Sequence, residues 1–435
     1  MNELAKELNQ TIMNDTPSVH AMLSSLGREL FYPKGILSQT AEAKQKAIRF
    51  NATVGIAKQG GQAMYLPSVM SEFSGLGPDQ VLPYAPVLGL PGLRQQWKLQ
   101  MIHKNPSLGF KRVSLPLVTS GLTHGLSLAA DLFVDPGDVV LLPDMAWGNY
   151  NMIFGVRKGA RIERFVLFAD EGGFNQEDFR RSLLRHADHG KVIVVLNFPN
   201  NPTGYSLTKA EARAVVGTLR EVAEGGCHVV AICDDAYFGL FYEKNLCRES
   251  LFTYLAGCDD RLLAVKLDGA TKEDYVWGLR VGFMTFATGS GSVEVYETLE
   301  KKTGGAIRGS LSNCAHPSQS ILLRAMRAPD YQSQRQQKYQ VLEARALSVK
   351  RTLSDERFDE VWTPYPFNSG YFMCIKLRDI DAEQYRCRLL DEYGVGVIAT
   401  GLNDIRIAFS CIEESDIQAL FEVMYECALL FKSEV

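Results

Sequence analysis

Between about residue 113 and residue 287, short and nearly unbroken apolar runs alternate with stretches of helical period. The runs beginning at Val113, Val139, Val192, Val229, Leu262 and Val281 do not alternate apolar with polar residues. Such runs predict strands buried on both faces, hence a mainly parallel sheet with helices on each side. Residues 209–224 have an amphipathic helical pattern, with Thr208 placed to cap the start and Gly225-Gly226 to end it. A second helical pattern follows residue 121 and carries Leu126, Ala129, Ala130 and Phe133 on one face. From about Ala325 the pattern changes to a long charged helix over residues 333–352. Short strands at 371–377 and 405–409 and helices at 382–393 and 415–431 come after it. The chain is therefore expected to be α/β. A large domain spans 51–324, a smaller α+β domain spans 325–435, and residues 1–50 form an N-terminal arm and part of the small domain.

Four strand-end segments carry candidate chemistry. In Thr271-Lys272-Glu273-Asp274-Tyr275-Val276-Trp277-Gly278-Leu279-Arg280-Val281-Gly282, a lysine at a strand end is followed by Gly, Arg and Gly at +6, +8 and +10. An amine there can condense with an aldehyde, and a guanidinium eight residues on can pair with a phosphate. Leu196-Asn197-Phe198-Pro199-Asn200-Asn201-Pro202-Thr203-Gly204 is a stiff loop in which Asn201 offers an amide to a ligand oxygen. It also reads as a plain strand-to-helix turn. Val229 to Tyr237 ends a buried strand on Asp234 and Asp235, and a carboxylate in that position needs a partner. A protonated ring nitrogen would serve. A metal would too, but no His or Glu lies at ligand spacing nearby. Val118-Thr119-Ser120-Gly121-Leu122-Thr123-His124 opens a helix through small residues, which leaves free N–H groups for an anion.

Taken in order, these motifs resemble the class I/II aminotransferases, the fold type I pyridoxal-phosphate enzymes that include aspartate aminotransferase. The resemblance covers roughly residues 51 to 409. It implies a large domain with a mostly parallel, helix-covered sheet, a smaller α+β domain, and pyridoxal 5'-phosphate as cofactor. It implies that Lys272 is the Schiff-base lysine, that Asp234 pairs with the pyridine nitrogen, and that Tyr237 and Asn201 bond the phenolic oxygen. Arg280, Thr123, Gly121 and Leu122 would hold the phosphate, and Trp147 would stack on the ring. Tyr84 would reach the phosphate of a neighbouring subunit, so a homodimer with shared sites is expected. Gly55 would lie near the substrate, Arg406 would fork onto the α-carboxylate, and Arg308 would read a side-chain carboxylate across the dimer interface.

Plainer readings stand beside these. Trp147 could be a core aromatic, Tyr84 a packed or interface tyrosine, Arg406 a charge guarding a sheet edge, and Arg308 a solvated arginine in a Gly- and Ser-rich loop. The chain also departs from the family pattern. Gly269 stands where a phosphate-binding serine is usual, with Thr271 as a possible substitute hydroxyl, and Asn200 stands where close aspartate aminotransferases carry histidine. The segment Gly60-Gly61-Gln62-Ala63 is expected to be a flexible rim.

Composition removes other classes. A net charge of −4 gives no electrostatic case for nucleic acid or an anionic membrane. No run approaches a membrane span, and the first fifteen residues lack an apolar signal core. Nine cysteines without a CxxC pattern suggest reduced thiols and a cytoplasmic protein. The expected activity is ping-pong transfer of an amino group from an L-amino acid to a 2-oxo acid. Arg308 tilts the expectation towards aspartate- or glutamate-like substrates. Aromatic or other neutral amino acids, or lyase or decarboxylase chemistry on the same cofactor, are the alternatives.

Overall fold

The computed structural model describes residues 1–33 and 35–433. Its centre is a seven-stranded sheet made of β1 (Leu117–Thr119), β2 (Val139–Pro143), β3 (Arg161–Phe165), β4 (Lys191–Asn197), β5 (His228–Asp234), β6 (Leu262–Gly269) and β7 (Gly282–Ala287). The spatial order is β1-β7-β6-β5-β4-β2-β3. Only β7 runs against its neighbours, pairing antiparallel with both β1 and β6. Central strands such as β4 and β5 are buried along almost their whole length, as their unbroken apolar runs require. Helices α1 (Gly121–Phe133) and α2 (Lys209–Glu224) pack beside this sheet.

Two strands differ from expectation for local reasons. The strand after Val113 starts only at Leu117, because Pro116 has no N–H to offer a ladder. Strand β3 was not legible as an apolar run. It lies at the sheet edge, where Arg161, Glu163 and Arg164 face water.

A second, antiparallel sheet contains β8 (Trp362–Pro364), β9 (Met373–Leu377), β10 (Ile398–Ala399) and β11 (Asp404–Ile407), in the order β8-β9-β11-β10. Beyond the seven-stranded sheet run the helices α3 (Val293–Ser310), α4 (Tyr331–Leu353), α5 (Ala382–Tyr393) and α6 (Ile417–Ser433). Residues Phe50–Asn51 pair in parallel with Val395–Gly396, so the chain before residue 52 is tied to its C-terminal part.

The expected flexible rim is instead an ordered hairpin. Lys58–Gln59 pairs with Gln62–Ala63 around Gly60 and Gly61. The Gly60 N–H donates to Glu413 at 2.8 Å, and Lys338 Nζ donates to Gln59 at 2.7 Å. Buried Arg345 reaches the Lys58 and Ser410 carbonyls, both at 2.7 Å, and so fastens the hairpin to the turn after β11.

Helix α2 begins where its sequence says it should. The Thr208 hydroxyl accepts from the Glu211 N–H at 3.2 Å, and Glu211 accepts from the Thr208 N–H at 2.7 Å. Glu211 also accepts from the Phe174 N–H and the Tyr205 hydroxyl, each at 2.7 Å. Thr208→Ala should lower unfolding free energy by about 1 kcal/mol in a denaturant titration. Glu211→Ala, which orphans three donors, should cost more than Thr208→Ala. Equal losses would show that the cap alone matters.

Candidate active site

The C-terminal ends of β1, β2, β4, β5 and β6 face one cavity of about 230 Å³. Parallel strands of an α/β sheet end in loops and helix starts, so polar groups converge there without breaking the ladder. Leu122, Thr123, Trp147, Asn201, Asp234, Tyr237, Lys272, Arg280 and the substitute hydroxyl Thr271 all line it, as do three residues without an expected role: Tyr150, Asn197 and Ala236.

Asp234 is the last residue of β5 and is buried. Its Oδ2 accepts from the Tyr150 hydroxyl at 2.6 Å and its Oδ1 from the Ala236 N–H at 3.2 Å. Burial pushes its carboxyl up to about 6, and these two donors offset only part of that rise. Asn197, ending β4, donates to the Asp234 carbonyl at 2.9 Å and accepts from the Asn201 N–H at 2.8 Å. The loop carrying Asn201 is thereby fixed to the strand carrying Asp234. Tyr237 is buried, with its ring edge-on to Tyr371 and Phe372 at 5.3 and 5.5 Å. Burial raises its hydroxyl pKa, so the phenol keeps its proton.

Lys272 lies in the short helix Ala270–Glu273 that follows β6. Its Nζ donates to the Gly55 carbonyl at 3.1 Å and sits 5.3 Å from the Tyr237 ring centre. No carboxylate pairs with it among the described residues. Burial, then the charges of Arg280 and Arg406, pull the amine down to about 8. Gly55 therefore touches the lysine directly.

Arg406 is buried in β11, between Cys374 of β9 and Ile398 of β10. An interior strand leaves no edge to guard, so the edge-charge reading is set aside. Its guanidinium donates to the Thr53 carbonyl at 2.9 Å and to Asn201 Oδ1 at 3.2 Å, and lies 4.2 Å from the Phe372 ring centre. Its Nε is buried without a partner. Two neutral acceptors leave this cation uncompensated, which favours an anionic ligand.

At the other end of the cavity, Gly121 opens α1 with φ 75°, and a Cβ there would stand 2.2 Å from the Arg280 guanidinium. Only glycine lets the arginine lie against the start of the helix. Gly269 is equally constrained. A Cβ would fall 2.8 Å from the Val281 carbonyl and 2.9 Å from Leu122 Cδ1, so the usual serine cannot fit. The Thr271 hydroxyl is buried, lacks a partner and faces the cavity.

Trp147 stands edge-on to Tyr150, 5.5 Å between ring centres, at the cavity wall and not in the core. Tyr84 and Arg308 are not brought to the cavity. Tyr84 is 90% exposed. Arg308 lies in the last turn of α3, not in a loop, is exposed, and donates to Ser312 Oγ at 2.6 Å.

The sequence profile of aminotransferase class I and II matches residues 51–424. The chain belongs to that family. Its members use pyridoxal phosphate with amino acid and 2-oxo acid substrates. A probable N-acetyl-LL-diaminopimelate aminotransferase of Bacillus subtilis is 26% identical over 47% of this chain and 48% of its own length. An aspartate aminotransferase of Pyrococcus horikoshii is 27% identical over 37% of the chain and 38% of its own length. The chain thus aligns with half or less of these curated relatives. An aminotransferase structure from Anaerococcus prevotii superposes with a TM-score of 0.83 at 23% identity, covering 94% of this chain and 99% of that one.

The cavity suits the family's cofactor. A buried carboxylate, an unpaired amine, an unpartnered hydroxyl and a guanidinium set against free helix N–H groups match a pyridine nitrogen, an aldehyde and a phosphate.

The Lys272 amine should become reactive as pH rises through about 8, because only the neutral form is nucleophilic. Acetylation of Lys272 in cofactor-free protein, followed by peptide mass spectrometry, should show a midpoint there. A midpoint near the ordinary lysine value of 10.5 would contradict the environment described.

Proposed function

We propose that the chain is a pyridoxal-phosphate-dependent aminotransferase working by a ping-pong mechanism. The observation that carries this is the convergence of an unpaired Lys272, a buried Asp234 and an uncompensated Arg406, the last two linked by hydrogen bonds through Asn201 and Asn197. Bound pyridoxal phosphate supplies an aldehyde and an electron sink that lets the Cα–H of an amino acid ionise. Asp234 would hold a proton on the ring nitrogen, with Tyr150 and the Ala236 N–H fixing its two oxygens. Tyr237 and Asn201 would orient the phenolic oxygen. Gly121, Leu122, Thr123 and Arg280 would hold the phosphate, and Trp147 would cover the ring. Thr271 would replace the hydroxyl that Gly269 cannot carry.

Arg406 would bind the α-carboxylate of the substrate. Its hydrogen bond to Asn201 would then tie substrate position to cofactor position. Lys272, neutral in a useful fraction near pH 8, would take the Cα proton onto Nζ and hold it there for its return. Gly55, whose carbonyl already orients the amine, would aim it.

Aspartate- or glutamate-like amino acids are the first substrates to test. Arg308 favours them, as do relatives named aspartate and LL-diaminopimelate aminotransferases. Arg308 and Tyr84 are both exposed in the single chain, and we propose that each serves the partner's site in a homodimer. No helix among the described residues is long and apolar enough to cross a membrane. We propose a cytoplasmic location, in keeping with nine free cysteines.

Lys272→Ala should abolish transamination, and turnover at the wild-type rate would overturn the assignment. Arg406→Ala should raise KM for the amino acid roughly 10- to 100-fold, the worth of a charged hydrogen bond of about 1.5–3 kcal/mol. An unchanged KM in steady-state kinetics would remove Arg406 from the carboxylate site. Arg308→Ala should weaken aspartate and glutamate more than phenylalanine, whereas equal losses would show that it reads no side-chain carboxylate.

A further inference from the structure

Behind the β5 end, on the far side of Asp234 from the active-site cavity, lies a small separate cavity of about 20 Å³. That is room for one atom-sized guest, a water or a dehydrated small cation. Its polar lining consists of Asp235, Ser206, Glu249 and Ser250, and Phe198, Phe238 and Phe241 wall off solvent.

Two polar atoms of this lining have no partner. Ser206 is 1% exposed, and its Oγ makes no hydrogen bond. Glu249 Oε2 is buried and makes none, while Oε1 accepts from the Ser107 N–H at 3.3 Å and the Ser107 hydroxyl at 3.2 Å. Buried polar atoms are rarely left unpaired, and two on residues that line the same small void call for a guest that satisfies both.

Charge decides what the guest is. Asp235 shares Lys266 with Asp268, which also accepts from the Trp97 N–H at 3.0 Å. Glu249 has no cationic partner among the described residues. Two carboxylates, Asp235 and Glu249, therefore line the cavity, and among the described residues Lys266, already shared with Asp268, is the cation paired with either of them. Lys104 lies 5.8 Å from the Phe238 ring and is matched by Glu273 at 2.7 Å. Arg248 is exposed and donates to the Glu243 carbonyl at 3.0 Å. Among the described residues no three His, Cys, Asp or Glu side chains converge to hold a metal ion, and the donors offered here are two carboxylates and hydroxyls, all hard oxygens.

We propose that this cavity binds one monovalent alkali cation, held by Glu249, the Ser206 hydroxyl and Asp235. The ion completes the charge balance of the Lys266 cluster and fixes the loop bearing Ser250, whose hydroxyl donates to Asp235 at 2.6 Å, against the end of β5.

The test uses cofactor-saturated protein exchanged into tetramethylammonium buffer. Addition of KCl or NaCl should raise Tm saturably, while tetramethylammonium chloride at equal ionic strength should not. Dialysis against rubidium chloride should leave one rubidium per chain by elemental mass spectrometry. Ser206→Ala should weaken the apparent affinity at least fivefold, and Glu249→Gln should abolish the response. If Glu249→Gln does not fold, Ser206→Ala and the rubidium count decide the matter. Identical Tm in all three salts, no retained rubidium, or an undiminished response in Ser206→Ala would overturn the proposal and leave a single water as the occupant.

Discussion

An amine kept without a carboxylate partner is the constraint on which the site depends. Lys266 and Lys272 lie six residues apart on β6 and the short helix after it, yet their surroundings are opposite. Lys266 is completely buried, but Asp235 and Asp268 outweigh that burial and hold its proton firmly. Lys272 is half-buried, meets only the Gly55 carbonyl, and shares its neighbourhood with two guanidinium groups. Burial and like charge act in the same direction on Lys272, and this is how a lysine becomes a base near neutral pH. Lys266 is a structural cation, whereas Lys272 is the one that can do chemistry.

The rest of the architecture keeps those two environments apart. Successive side chains on β6 point to opposite faces, so Lys266 and Asp268 share the face that packs on Trp97 and Phe238. The β5 end splits its carboxylates in the same way. Asp234 turns to Tyr150 and the cavity, while Asp235 turns to Lys266 and Ser250. Glu273 and Asp274, directly after Lys272, are both taken up by Arg335 of α4, and Glu273 also by Lys104. Each of these acidic residues thus has a cation or hydroxyl as partner. Arg345 of the same helix anchors the segments that follow Gly55 and Arg406. Helix α4 therefore braces both the Lys272 side and the Arg406 side of the site.

Much of this was legible in the sequence. Unbroken apolar runs give buried strands, and the residues at or just past their ends, Asp234, Asn201 and Lys272, fall into one cavity because parallel strands share an end. The roles of Tyr150 and Asn197 are not legible in the sequence for a definite reason. Each lies within a few residues of a recognised site residue, but its role is to hold another polar group, and only three-dimensional contact reveals that. Strand β3 was hidden by the charges that suit an edge. The Gly60–Gly61 segment reads as a flexible rim in the sequence because the anchors of its hairpin, Glu413 and Lys338, lie far along the chain. Arg308 was misplaced in a loop because glycine and serine around it suggested a turn, whereas packing carries α3 through to Ser310.

The most direct test of the account is to locate the cofactor linkage. Protein saturated with pyridoxal phosphate would be reduced with borohydride, digested, and searched for the modified lysine by mass spectrometry. The account predicts stoichiometric labelling of Lys272 and none of Lys266. Labelling of Lys266 or another lysine, or no covalent label at all, would contradict it.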